Sequence, residues 1–237
     1  MDTIDKINTE ISRLNEWNTA GRFAEVLVDS TALLDAPIAD EDEDDDEVRA
    51  SLFVIQGNAL YGLGRFEEAL KAYAQAIELD TFDVQARCNY GSTLYTLGRY
   101  VDALNACDAA ILTDENFAPS YVNVAHCLVA LKHEGEAVYA LRQAFSLAPE
   151  DSELGRTVAD MAADLEDYDV ALETYLDVAA LPDAPADIHQ TIHDFFIRFK
   201  NHPDIPRTDW TKGVDDWRRK FATNPDVLRL SGELLRG

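Results

Sequence analysis

Apolar residues recur along most of this chain at the alternating three-and-four spacing of helix faces. Phe66, Ala69, Leu70, Tyr73, Ala76 and Ile77 form one such stripe, and Ile188, Ile192, Phe195, Phe196 and Phe199 form another. Trp210, Val214, Trp217 and Phe221 share a further face near the end of the chain. The pattern predicts a succession of amphipathic helices joined by short turns. Gly64 and Gly98 stand where helices should end, a place glycine suits because the left-handed conformation costs it nothing. Pro149 marks a boundary before the next helix. Pro203 and Pro206 interrupt the C-terminal pattern, and Asn224-Pro225 reads as a cap followed by a first-turn proline.

The stripes repeat. Alanine returns every 34 residues at 69, 103, 137 and 171, in step with Gly57, Gly91, Ala125 and Ala159 and with Ala76, Ala110, Ala144 and Val178. Four ungapped units follow: 50–83, 84–117, 118–151 and 152–185. An earlier copy, 7–40, shows in Gly21-Arg22-Phe23, which matches Gly64-Arg65-Phe66 and Gly98-Arg99-Tyr100. Nine extra residues, 41–49, separate it from the next, and most of them belong to the acidic run Asp40–Glu47. Small residues at 57 and 69 let two antiparallel helices approach, and Phe66 and Tyr73 should fill the space against the neighbouring unit. Lys132 and Glu134 depart from the pattern, standing where earlier copies have glycine and an aromatic.

Composition narrows the function. Lys and Arg number 20 against 45 Asp and Glu, a formal net charge of −25. Such a chain lacks the cations that bind a phosphate backbone or an anionic lipid surface, which argues against nucleic acid and membrane partners. Its 47% hydrophobic content sets it apart from disordered acidic tails. Cys88, Cys107 and Cys127 have no metal-ligand spacing and read as small buried hydrophobes of a reducing compartment. With no membrane-length apolar run and no signal-peptide layout, a cytoplasmic location is expected. Only six of the basic residues are lysine, so the charge fits adaptation to salt as well as steering of a basic ligand.

The repeat resembles the tetratricopeptide repeat, a helix-turn-helix unit of 34 residues. That resemblance implies an all-α, right-handed α-solenoid over 1–185, with 186–237 a degenerate repeat and helical cap. It also implies a concave surface lined by the first helix of each unit. The inward positions would be Val54, Asn58 and Tyr61, then Cys88, Asn89, Ser92 and Tyr95, then Val122, Asn123 and His126. Farther on come Arg156, Asp160 and Asp164, with Glu153, Asp187, Gln190, Asp194 and Arg198. The lining thus passes from amides and aromatics to mostly acids. Asparagine both donates and accepts, which suits the backbone of an extended peptide, and tyrosine adds apolar area with a polar tip. Some members of the family clamp acidic chaperone tails with two asparagines and several cations. Asn58 and Asn89 match those asparagines, but Val54, Pro119 and Asn123 occupy the cationic positions, so the clamp is rejected.

Other constellations are weak. The acidic run lacks the turn glycine and final glutamate of a calcium loop and reads as a solvated, mobile insertion. His189 and His193 lie four apart, but Gln190 replaces the glutamate of the zinc-protease motif, so a structural pair is expected. Trp210 and Trp217 belong either to a cap over the open end of the array or to an exposed docking or dimer surface. The expected function is a non-enzymatic adaptor binding a peptide or helix segment, one with a basic end. No cofactor or metal is implied, and the oligomeric state stays open. The alternatives are a chaperone for an exported or membrane-bound client and a regulatory subunit of an enzyme.

Overall fold

The computed structural model of the 237-residue chain describes residues 3–35, 44–200, 202 and 207–236. Among them the chain forms thirteen helices and no strand: α1 (Thr3–Thr19), α2 (Phe23–Asp35), α3 (Asp44–Gly62), α4 (Phe66–Leu79), α5 (Val84–Thr96), α6 (Tyr100–Thr113), α7 (Ala118–Ala130), α8 (Glu134–Leu147), α9 (Ser152–Asp164), α10 (Tyr168–Val178), α11 (Ile188–Phe199), α12 (Arg207–Lys220) and α13 (Pro225–Arg236). The chain divides into two compact units, Met1–Ala137 and Val138–Gly237.

In the first unit α3 packs on α4, α4 on α5, α5 on α6 and α6 on α7, with α1 and α2 against α3. The repeating alanines mark the places of closest approach. Ala69, Ala103, Ala137 and Ala171 are all fully buried. Opposite Ala69, a Cβ added to Gly57 would stand 2.5 Å from the Tyr73 ring, so glycine is what lets α3 meet α4. Gly91 repeats the device against Cys107 Sγ at 2.6 Å. Tyr73 therefore fills space inside its own helix pair, and Phe66 meets Tyr61 of the same pair edge to face, ring centroids 5.2 Å apart. The filling expected between neighbouring units occurs first within one.

First helices end in a recurrent cap. At Gly64 the amide donates to the Tyr61 carbonyl and the Arg65 amide to that of Leu60, each at 2.9 Å, the two-bond Schellman closure. Gly21, Gly64 and Gly98 all sit near φ +74°. Where the sequence departs from glycine the backbone does not: Lys132 holds φ 68° and Glu166 φ 62°. Second helices α4 and α6 instead pass through Asp80 and Asp114 into extended backbone. Asp83, Asp151 and Asp167 then cap α5, α9 and α10 by accepting from the amide three residues on. Asn224 caps α13 in the same way, accepting from the Val227 amide at 3.3 Å.

One expectation needs correction. The insertion 41–49 is not wholly a solvated loop: from Asp44 onward it is the start of α3. Asp46 and Glu47 lie in the first turn, at the positive end of the helix dipole, where carboxylates are favoured. Behind them Val48, 8% exposed, joins the core of Leu14, Val26, Leu52 and Ile55. The front of the acidic run, Asp40–Glu43, lies outside the described residues. For the tryptophans, left between two alternatives, burial removes one.

In the second unit α9 packs on α10, α10 on α11, and α13 on both α11 and α12. Trp217 is fully buried and Trp210 nearly so, each packed against Phe196, at 5.9 and 6.0 Å between ring centroids. Trp210 Nε1 donates to the Phe196 carbonyl at 2.9 Å. A Cβ on Gly213 would meet Leu172 at 2.9 Å, so α12 lies close upon α10 as well. The aromatic face is the core of this unit, which excludes an exposed docking or dimer surface built on the two indoles.

Candidate peptide-binding surface

Asn58 on α3, Asn89 on α5 and Asn123 on α7 stand one helix apart, each half-buried. Asn58 Oδ1 accepts twice, from the Tyr73 hydroxyl at 2.8 Å and from Asn89 Nδ2 at 3.0 Å. Asn89 Oδ1 in turn accepts from Gln85 Nε2 at 2.9 Å. Asn123 Nδ2 donates to the Cys88 carbonyl at 3.3 Å and lies 3.1 Å from its sulfur. These bonds use the Asn58 and Asn89 oxygens as acceptors and orient all three amides. Asn58 Nδ2 and the Ser92 hydroxyl make no bond among the described residues. Together with Tyr61, Tyr73, Asn89 and Thr93 they line a cavity of about 150 Å³.

Aromatic contacts frame it. The Tyr61 hydroxyl lies 3.1 Å from Thr96 Oγ1, and the Tyr95 ring sits between Tyr100 at 5.4 Å and His126 at 5.8 Å. Val54, half-buried, packs beneath against Tyr73 and its neighbours, and Val122 is half-buried on α7. Burial pushes the Tyr73 and Tyr95 hydroxyls up and the His126 imidazole down. All three are then neutral near pH 7, so the wall carries no charge in a chain of −25. Four of the residues expected from sequence therefore meet in one cavity: Asn58, Tyr61, Asn89 and Ser92. Tyr73, Gln85, Thr93 and Thr96 were missed. One signal for Tyr73 did exist, because a polar residue and a tyrosine at its two repeat positions recur as Asp160 and Tyr175.

The acidic set belongs to the second unit and is more compensated than its sequence suggests. Arg156 donates from its two terminal guanidinium nitrogens to Asp187, at 2.8 and 3.2 Å, and its Nε lies 3.9 Å from Asp160. This pairing raises the Arg156 pKa and lowers that of Asp187. Arg198 pairs with Asp164 at 2.8 Å, and Gln190 donates to Asp194 at 2.8 Å. Tyr175 donates to Asp160, and burial first, then that bond, pushes its hydroxyl up.

Elsewhere the histidines are tied into packing. His189 lies against Phe221 at 4.9 Å and 3.5 Å from Trp217 Nε1, while His193 lies 3.2 Å from Asp194. Cys88, Cys107 and Cys127 are buried free thiols. Among the described residues no three His, Cys, Asp or Glu side chains converge as a metal site, and no helix is long and apolar enough to cross a membrane.

Comparison with known proteins agrees with this architecture. Residues 56–120 and 118–151 each match a family model of the tetratricopeptide repeat. No curated protein matches the sequence. Among solved structures, that of pilF from Pseudomonas aeruginosa has TM-score 0.64 at 15% identity, covering 98% of this chain and 99% of its own. MamA from Desulfovibrio magneticus RS-1 has TM-score 0.55 at 19% identity, covering 78% and 98%. TTC0263, a thermophilic TPR protein of Thermus thermophilus, has TM-score 0.51 at 18% identity, covering 83% and 100%. At such identities these likenesses concern the fold, and that fold suggests protein–protein interaction. With its period of 34, its recurrent caps and two matched segments, the chain carries tetratricopeptide repeats over residues 56–151.

Proposed function

We propose that the first unit is a non-catalytic adaptor surface that holds an extended segment of another protein along the wall of Asn58, Tyr61, Asn89, Ser92, Tyr95, Val122, Asn123 and His126, with Val54 beneath it. The observation that carries this reading is the Asn89–Asn58–Tyr73 chain of hydrogen bonds. With the Gln85 bond it engages the Asn58 and Asn89 oxygens internally, while Asn58 Nδ2 and the Ser92 hydroxyl of the same cavity keep their donors unused among the described residues. Such a surface is matched by the carbonyl groups of a peptide backbone rather than by a carboxylate-rich tail, which finds no cation here.

A basic stretch on the partner would suit the second unit, where Asp160, Asp164, Asp187 and Asp194 outnumber Arg156 and Arg198. Those exposed charges should govern encounter rather than residence. Selection from a random peptide library supplies the probe, and binding kinetics at two ionic strengths supply the test. Asn89→Ala with Asn123→Ala should speed dissociation about tenfold, because each lost amide leaves a desolvated partner group unpaired. Asp160→Asn with Asp164→Asn should slow association and flatten its salt dependence. Parent-like kinetics in the asparagine pair would remove the wall from consideration.

A further inference from the structure

The hydrogen bonds around the amide-wall cavity fix which of its groups a ligand would meet as donors and which as acceptors. Six residues line it, Asn58, Tyr61, Tyr73, Asn89, Ser92 and Thr93, and none of these side chains is ionic near pH 7. Asn58 Oδ1 accepts from both Tyr73 and Asn89, so Asn58 has its Nδ2 to offer. Thr93 is fully buried and donates to the Asn89 carbonyl at 2.7 Å. Thr96 donates its one proton to the Ser92 carbonyl at 3.0 Å. It must then accept in its 3.1 Å contact with Tyr61, which leaves the Tyr61 oxygen as an acceptor. The Ser92 hydroxyl can serve either way.

Its volume of about 150 Å³ is well below the ~300–1,000 Å³ of sites that enclose a small molecule, and is room for one side chain. The set of donors and acceptors decides which. A carboxylate only accepts, and it would find no cation among the lining residues of a chain of net charge −25. An ammonium only donates and would face Asn58 Nδ2. An alkyl group would leave that donor unpaired, at the cost of its desolvation. A hydroxyl has a single proton, on the same atom as its lone pairs. A primary amide carries acceptor and donor on separate atoms, the complement of Asn58 Nδ2 and the Tyr61 oxygen.

Resting on the adaptor reading of this wall, we propose that the cavity selects a glutamine or asparagine side chain of the bound segment. The side-chain carbonyl accepts from Asn58 Nδ2, its NH2 donates to the Tyr61 oxygen, and Ser92 supports either bond. The backbone of the segment needs only donors from the wall, so the acceptor in the cavity is what adds sequence preference. Asn58 is then the residue that sets this preference. The second unit shows the alternative: at the corresponding position Asp160 also accepts from a tyrosine, Tyr175, but has an oxygen where Asn58 has Nδ2.

The test is selection from a random peptide library on the full chain and, in parallel, on its Asn58→Asp variant. Peptides selected on the parent should share one position held by glutamine or asparagine. Replacing that residue by glutamate, leucine or serine should weaken binding about tenfold. Asn58→Asp keeps the oxygen that accepts from Tyr73 and Asn89 but turns the free donor into a charged acceptor, so the same position should move to lysine or arginine. Should circular dichroism show that variant unfolded, Ser92→Ala decides, and it should weaken the parent's peptides by about threefold or more. Peptides that shift the Asn58 and Asn89 side-chain signals yet share no amide position would overturn the proposal and leave the adaptor wall standing. So would a folded Asn58→Asp that keeps the parent's preference. A parent chain that selects no peptide at all would overturn both.

Discussion

Tyr73 donates its hydroxyl to Asn58 across 2.8 Å, and Tyr175 donates to Asp160 at the corresponding positions three repeats later. The pair joins the second helix of a unit to the polar face of the first, so packing and candidate recognition share one bond. Tyr73→Phe should cost about 1 kcal/mol of stability, the net worth of an ordinary hydrogen bond. Asn58→Ala should cost more, because it strands a buried hydroxyl. Denaturant unfolding of both variants checks the order, and a neutral Asn58→Ala would contradict it.

Lys132 and Glu166 hold the left-handed cap geometry that glycine holds at 64 and 98. An L-residue there pays about 1–2 kcal/mol of steric cost, partly offset by the greater unfolded freedom of glycine. Lys132→Gly and Glu166→Gly should each raise stability by several tenths to about 1 kcal/mol, and Gly64→Ala should lower it by a similar amount. Thermal unfolding reads all three. A destabilising Lys132→Gly would mean that the lysine side chain contributes more than its strained backbone costs.

Deleting 44–49 should destabilise the first unit, since it removes the first turn of α3 and Val48 from the core. Val48→Ala alone should cost about 1.5 kcal/mol for two buried methyl groups, plus any cavity left behind. Circular dichroism and limited proteolysis follow the loss. A deletion that melts like the parent would show α3 to be indifferent to its acidic start.

His126 supplies a pH dependence of known sign. Burial lowers its pKa in the folded chain, whereas the unfolded chain takes up the proton near pH 6.5. Between that value and the lower folded one the unfolded state binds more protons, so stability rises with pH through the window. The cost is absent above about pH 7 and grows as pH falls below about 6.5. Unfolding of His126→Gln compared with the parent from pH 7 to pH 5 should show the parent losing more. Equal slopes would contradict the assignment.

Much of this was legible in the residues. The alanines at 69, 103, 137 and 171 announced the helix pairs because only small side chains fit where backbones meet, and all four are buried. Lys132 misled in the opposite sense: the neighbouring repeats impose a backbone turn that residue type alone did not announce. The start of α3 was hidden because eight acids read as solvated charge, while the dipole that favours them and the burial of Val48 appear only in the folded chain. The tryptophan stripe gave a shared face but not what lay opposite it, and Phe196 and Leu172 turned out to be there. In the amide wall, residue types and helix positions were readable. The bonds from Asn58 to Asn89 and from Arg156 to Asp187 cross between helices, and no spacing within one helix announces them.

The amide wall as a peptide-backbone site is tested most directly by nuclear magnetic resonance on the 15N-labelled chain, titrated with library-selected peptides. Side-chain amide signals report on the very groups invoked. The signals of Asn58, Asn89 and Asn123 should shift in proportion to occupancy, and Tyr73→Phe should weaken the peptide by loosening Asn58. Peptide binding that leaves the side-chain amide signals of all three asparagines unmoved would contradict the account.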